Sequence, residues 1–176
     1  MYYDPGYSRY AFYNQPGRYM QTEPMQQYIQ QDQYSPGSNL SQALRLIEDA
    51  LRGETEDRLF YQFLISQATE AKDKDIIAGI RDDEMKHFEM FRQLYSDLTQ
   101  SNIPSVQQIP FEQPASYCAG LRKALMGEQN AVTKYRKILF AMRDRKHINM
   151  MTEIITDELR HLGLYNYLYA RNGCKD

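Results

Sequence analysis

Apolar residues between positions 39 and 171 recur at steps of three and four, which predicts amphipathic helices. Gly and Pro are nearly absent from these stretches, and Ser38 and Asn39 are candidate N-caps for the first helix. Short connections between helices one and two, and between helices three and four, predict two antiparallel hairpins. The predicted helices span roughly 39–70, 73–100, 114–143 and 146–171.

The connection between the second and third predicted helices is long. Residues 101–114 contain three prolines and therefore cannot be helical throughout. About 13 extended residues span roughly 43 Å, which matches the length of about 42 Å of a 28-residue helix. Since a four-helix bundle with one long crossover has the ferritin-like topology, we predict an all-α, ferritin-like four-helix bundle for residues 39–176.

The helical part of the chain is an internal repeat with an offset of 74 residues and no gap. Each copy is one helical hairpin, which is too small to be stable alone, so two copies complete the bundle. The offset aligns Glu54 with Glu128, Tyr61 with Tyr135, Glu84 with Glu158 and His87 with His161.

Six ionisable side chains interrupt the apolar faces near the middle of the predicted helices, at one height in the bundle. Four carboxylates cannot all stay ionised and unpaired in an apolar core, because the loss of solvation is costly. Either some of them are protonated and hydrogen-bonded in a metal-free polar core, or cations neutralise them. Two divalent cations would balance four carboxylates, and carboxylate-rich ligation with two imidazoles favours Fe or Mn. The six residues are Glu54, Glu84, His87, Glu128, Glu158 and His161.

These residues resemble the ferritin-like carboxylate-bridged family, and rubrerythrin in particular, over about residues 40–171. The resemblance rests on two Gly-Glu pairs and two Glu-x-x-His motifs. It implies a di-iron centre that reacts with O₂ or hydrogen peroxide, with a dimanganese catalase as the alternative. It also implies a homodimer. The motif residues are Gly53-Glu54, Glu84-x-x-His87, Gly127-Glu128 and Glu158-x-x-His161.

The resemblance also implies a role for each metal ligand. Each metal would have one Glu and one His as terminal ligands, and two further carboxylates would bridge the metals. The terminal pairs would be Glu54 with His87 and Glu128 with His161, and the bridging residues would be Glu84 and Glu158. The chain departs from rubrerythrin because it has no C-x-x-C pair and because Ala131 stands where the family carries an extra Glu. An external electron-donor protein would therefore supply the electrons.

Both metal motifs have the form Asp-Glu-x-basic-His, which is similar to the D-E-x-R-H motif of di-iron oxygenases. Because a metal-bound imidazole usually donates its other N–H to a carboxylate, we predict that Asp157 pairs with His87 and Asp83 with His161. Tyr61 and Tyr135 follow the first-helix and third-helix carboxylates by two turns. They are candidate catalytic residues, with core packing as the alternative.

Composition limits the remaining function classes. The net charge of -2 argues against a nucleic-acid binder, and no apolar run is long enough to span a membrane. The first ten residues have neither a basic nor an apolar segment, so we expect no secretory signal and a cytoplasmic location. In that reducing compartment Cys118 and Cys174, which fall near the same end of the bundle, would be free thiols.

Residues 1–38 differ in composition from the rest of the chain. They hold 8 of the 15 tyrosines and 4 of the 7 prolines, with almost no aliphatic residues. Such a segment cannot bury enough apolar surface to offset its ordering entropy, so we expect a disordered tail. Its composition is similar to that of spore-coat and surface-layer proteins. A non-catalytic, metal-binding structural protein in such a layer is therefore the alternative to a di-iron oxidoreductase of oxidative-stress defence.

Overall fold

The computed structural model describes residues 39–52, 54–103 and 110–175, without the side chains of residues 54 and 55. These ranges contain five helices and no strand, which confirms the all-α prediction. No helix within them is long and apolar enough to cross a bilayer. The helices are α1 (Leu40–Leu51), α2 (Glu54–Gln67), α3 (Ala71–Thr99), α4 (Tyr117–Ala141) and α5 (Arg145–Arg171).

Two features of the sequence prediction lie outside the described residues: the tail, residues 1–38, and the middle of the crossover, residues 104–109. All five helices belong to one compact unit within residues 32–176.

The prediction of one continuous first helix over residues 39–70 is wrong, because α1 ends at Leu51 and α2 begins at Glu54. The sequence has a glycine at position 53, and glycine costs roughly 1 kcal/mol relative to alanine inside a helix. Glycine alone does not account for the break, since Gly127, its counterpart in the repeat, lies inside the continuous helix α4.

Contacts at both ends show that α3 and α5 run in opposite directions. Near the end of α3, Asp97 accepts a hydrogen bond from Nζ of Lys146 at the start of α5, at 2.7 Å. At the start of α3, the buried Asp73 accepts a hydrogen bond from Nδ2 of Asn172, which caps the end of α5, at 2.8 Å. The short connections at residues 68–70 and 142–144 pair α2 with α3 and α4 with α5.

A disulfide shows at which end of the bundle α4 begins. Cys118, in the first turn of α4, is bonded to Cys174 beyond the end of α5, with a Cα–Cα distance of 5.5 Å. The start of α4 therefore lies at the same end as the start of α3, and the chain must return from the far end of α3 to reach it. The expectation of free thiols is wrong, because the fold brings these two cysteines within bonding distance.

The core consists of two apolar clusters separated by a polar layer. The first cluster lies between α1, the ends of α3 and α4, and the start of α5; its fully buried members include Ile47, Leu94, Ile138 and Ile154. The second lies between α2, the starts of α3 and α4, and the end of α5; its fully buried members include Leu64, Ile77, Leu121 and Leu168. The candidate site occupies the layer between them.

Candidate metal centre

Three helices place five of the predicted ligands in the polar layer. Glu84 and His87 come from α3, Glu158 and His161 from α5, and Glu128 from α4. The spacing of three residues in each Glu-x-x-His motif puts both side chains on one face of a helix. Both imidazoles, Glu128 and Glu158 are buried, and Glu84 is half-buried. The helical geometry therefore turns five ionisable groups toward one another inside the bundle.

The carboxylate of Glu84 lies between the two imidazoles. Its Oε1 is 3.1 Å from Nδ1 of His161, and its Oε2 is 3.5 Å from Nδ1 of His87. The two imidazole rings are 5.9 Å apart between centroids. A carboxylate that reaches both imidazoles is in the position that a ligand bridging two metals would need.

The other two carboxylates extend the cluster. Oε1 of Glu158 lies 3.2 Å from Nδ1 of His87, and Oε1 of Glu128 lies 4.0 Å from Nδ1 of His161. Glu84, Glu128, Glu158 and His161 each offer a ligand atom, and these atoms all lie within 4.8 Å of one another. This spacing suits oxygen and nitrogen ligands around a cation.

Glu54 is the sixth predicted ligand. Helix α2 begins at this residue, but its side chain lies outside the described residues. Its role as a terminal ligand therefore stays a prediction from the repeat, in which it corresponds to Glu128.

Two buried polar atoms in the layer lack hydrogen bonds among the residues that the structure describes. They are Nδ1 of His87 and Oε1 of Glu158, which face each other at 3.2 Å without the geometry of a hydrogen bond. A buried polar atom without a partner costs about 1–3 kcal/mol. A cation bound to both atoms would remove that cost, so the residues present fit a metal.

Without a metal, protons balance the charge of the buried carboxylates. Burial favours a neutral imidazole at His87, but the nearby carboxylates of Glu158 and Glu84 outweigh it and raise the His87 pKa to about 10. The pKa of His161 is also raised, against the effect of burial, chiefly by Glu84. Burial, followed by the neighbouring Glu158, raises the pKa of Glu128 to about 12. The metal-free chain thus holds protons where a metal would otherwise supply positive charge.

Outside the layer, each imidazole meets an aspartate of the opposite motif. Nε2 of His87 lies 3.2 Å from Oδ2 of Asp157, and Nε2 of His161 lies 3.1 Å from Oδ2 of Asp83. An ionised carboxylate can only accept, so each Nε2–H donates to its aspartate. This arrangement leaves both Nδ1 atoms directed at the centre, as a pair of metal ligands requires.

A cavity of about 590 Å³ lies against the layer, between α2 and α4. Tyr61 and Tyr135, the two candidate catalytic tyrosines, line it, and both are buried. Burial raises the pKa of both hydroxyl groups well above the ordinary value for tyrosine. Three carboxylates of the layer, Glu84, Glu128 and Glu158, also line the cavity, so the cavity reaches the candidate centre.

Sequence reasoning missed two residues near the site. Asp57 lines the same cavity, and burial, followed by the charges of Glu84 and Glu56, raises its pKa to about 7. The repeat contained a signal for Asp57. It corresponds to Ala131 of the second copy, which stands where an extra Glu was expected, so the first copy has a carboxylate at the position where the second copy lacks one. The other residue is Tyr165, which is fully buried and whose hydroxyl has no hydrogen-bond partner among the described residues.

A family model described as Rubrerythrin matches residues 45–169 of the chain. This range contains all six predicted ligands, the two aspartates that contact the imidazoles and the two tyrosines at the cavity. Neither a curated protein nor a solved structure matches the chain.

Proposed function

The chain belongs to the rubrerythrin family, whose members typically bind iron, and on that premise we propose that it holds a di-iron centre that reacts with O₂ or hydrogen peroxide. The observation that carries this proposal is a pair of buried atoms, Nδ1 of His87 and Oε1 of Glu158, that lie 3.2 Å apart and have no hydrogen bond among the described residues, in a layer rich in carboxylates. Oxygen and imidazole ligands in this ratio suit iron or manganese better than metals that prefer sulfur.

We propose one ligand set for the two metals. The carboxylate of Glu84 would bridge them, since it already lies between the two imidazoles. Glu158 would be the second bridge. The terminal ligands would be His87 with Glu54 and His161 with Glu128. When bound, two iron ions supply electrons for a two-electron reduction of O₂ or peroxide.

The surrounding residues would control what reaches the centre. The two apolar clusters exclude water above and below the polar layer. The cavity beside α2 and α4 would admit a small oxidant, and Tyr61 and Tyr135, which line it, would offer hydrogen-bond donors to that oxidant. Because the chain has no C-x-x-C pair, an external electron-donor protein would return the centre to its reduced state.

Two alternatives use the same ligands. A dimanganese centre would make the protein a catalase and would need no external electron donor. A structural metal protein in a spore coat or surface layer is favoured by the tyrosine-rich tail and by the Cys118–Cys174 disulfide, since disulfides persist in oxidising surroundings. A cytoplasmic enzyme and a homodimer remain our first proposals for location and assembly.

Metal analysis of the full chain, purified without chelators, tests the proposal. We expect about two Fe per chain, followed by turnover of hydrogen peroxide in the presence of a reductant. Glu84→Ala should lose the iron, whereas Glu89→Ala, which alters an exposed carboxylate on the same helix, should keep it. About two Mn per chain would favour the catalase instead. No metal after anaerobic addition of Fe(II) or Mn(II) would overturn the proposal, and bound iron without turnover would favour the structural role.

A further inference from the structure

Arg160 connects the two aspartates that contact the imidazoles of His87 and His161. Nη2 of Arg160 donates to Oδ2 of Asp83 at 2.7 Å and to Oδ1 of Asp157 at 2.8 Å. The same two aspartates accept from His161 and His87 on the other side. A continuous series of hydrogen bonds therefore runs from one imidazole to the other around the outside of the metal site.

We propose that Arg160 is a positioning residue shared by both metals, and this inference rests on the proposed dinuclear centre. Its guanidinium fixes both aspartates, and each aspartate fixes the orientation of one imidazole. A guanidinium suits this role because its several N–H donors are held in one plane and can serve two carboxylates at once. Loss of this side chain would free both aspartates together and so disturb both halves of the centre.

The two copies of the repeat differ at this position, which supplies a matched control. Lys86 is the counterpart of Arg160, but its ammonium group pairs with Glu153 of α5 rather than connecting the two aspartates. The counterpart of Glu153 in the first copy is Gly79, so α3 offers no equivalent partner to Arg160. Both basic side chains are similarly exposed, at 52% for Arg160 and 58% for Lys86. The second copy alone therefore provides the connection.

Exposed ion pairs contribute little to folding, with a median of about 0–1 kcal/mol. The role of Arg160 should therefore appear in metal binding and not in the stability of the metal-free chain. Partners of metal-bound imidazoles typically change metal affinity by about 10–100-fold when altered. A residue that serves two such partners should affect two binding steps.

The experiment is an anaerobic titration of the full chain with Fe(II) against a chromophoric chelator, which resolves the two stepwise dissociation constants. In Arg160→Gln both constants should rise by about tenfold or more. In Asp157→Asn, which alters the partner of His87 alone, one constant should rise much more than the other. Arg160→Lys should restore only part of the affinity, and Lys86→Gln should bind like the wild type. The metal-free Tm of Arg160→Gln should equal that of Lys86→Gln.

The outcomes separate this inference from the proposed function. If Arg160→Gln binds both Fe(II) ions like Lys86→Gln, or loses affinity at one step only, Arg160 is not a shared positioning residue, and the dinuclear centre is unaffected. A large fall in the metal-free Tm of Arg160→Gln would show a structural role instead. If the wild-type chain itself binds no Fe(II), the proposed function and this inference both fail.

Discussion

Oε1 of Glu84 on α3 lies 3.1 Å from Nδ1 of His161 on α5, although the two residues are 77 positions apart. Its other oxygen lies 3.5 Å from Nδ1 of His87 in its own motif. One carboxylate thus connects the two halves of an internal repeat at the level where the core is polar. Substitutions of Glu84 should therefore act on both halves of the repeat.

Metal binding should release protons and should strengthen as the pH rises. In the metal-free chain the pKa of His87 is about 10 and that of Glu128 about 12, so both hold protons at neutral pH that a metal must displace. Calorimetric titration with Mn(II) in two buffers of different ionisation enthalpy measures this release. Equal apparent enthalpies in both buffers would contradict the prediction.

The metal-free chain should lose stability as the pH rises, opposite to the trend for metal binding. The stabilisation from charged His87 is complete below its ordinary pKa of 6.5 and is lost as the pH rises through about 10. Burial raises the pKa of Glu128 from 4.5 to about 12, so above pH 4.5 this carboxyl group ionises in the unfolded chain but not in the folded one, which favours unfolding. Between pH 6 and pH 9 the difference in Tm between the metal-loaded and metal-free chain should therefore widen. Parallel Tm profiles would show that these protons do not control stability.

Removing the disulfide should lower stability without changing the fold of the site. Cys118→Ser opens a loop of 56 residues, and such loops typically contribute about 2–4 kcal/mol. Urea unfolding of the variant measures the loss, and wild-type chain treated with a reductant should give the same midpoint. If two free thiols are titrated in the native wild-type chain without reductant, the disulfide does not form.

Tyr165→Phe should leave the metal-free chain as stable as before, or more stable by up to about 1 kcal/mol. The buried Tyr165 hydroxyl has no hydrogen-bond partner among the described residues, so its removal ends a desolvation cost. Tyr95→Phe is the control, since the Tyr95 hydroxyl donates to Oε1 of Glu48 at 3.0 Å, and this variant should be less stable. A marked loss of stability in Tyr165→Phe would point to a partner, such as a bound water, for that hydroxyl.

Tyr61→Phe and Tyr135→Phe should reduce peroxide turnover while leaving the metal content unchanged. Both residues line the cavity beside the carboxylates, and loss of one hydrogen-bond donor to developing charge typically costs about 10²-fold or more in rate. Stopped-flow kinetics of the iron-loaded variants measures the effect, with Tyr167→Phe, whose ring is exposed, as the control. Unchanged rates in both variants would assign these tyrosines to core packing.

Helical geometry explains how much of the site the sequence could predict. Because the rise and turn of an α-helix are fixed, equal spacings in two copies of a repeat place equivalent side chains at one height. That argument predicted a common layer for residues such as Glu84 and His161, and the described side chains lie together there. The rotation of each helix about its axis decides which side-chain atoms come into contact. The sequence does not give this rotation, so the contact of Arg160 with both aspartates was not foreseen.

Sequence reasoning missed two features, the break between α1 and α2 and the disulfide. The same Gly-Glu pair occurs in a broken and in a continuous helix, so local propensity does not distinguish the two copies. The positions of Cys118 and Cys174 were predicted at one end of the bundle, but a disulfide requires Cα atoms within about 7 Å, which only the packed structure reveals.

The polar layer between two apolar clusters has a consequence for the half-life of the protein in the cell. A ligand that binds only the folded chain stabilises it by about 2.7 kcal/mol at a concentration one hundred times its dissociation constant. If the layer binds iron as proposed, chains made during iron shortage would unfold more often and be degraded sooner than chains made in iron-replete cells. The half-life of the protein would then follow the iron supply without any dedicated regulator.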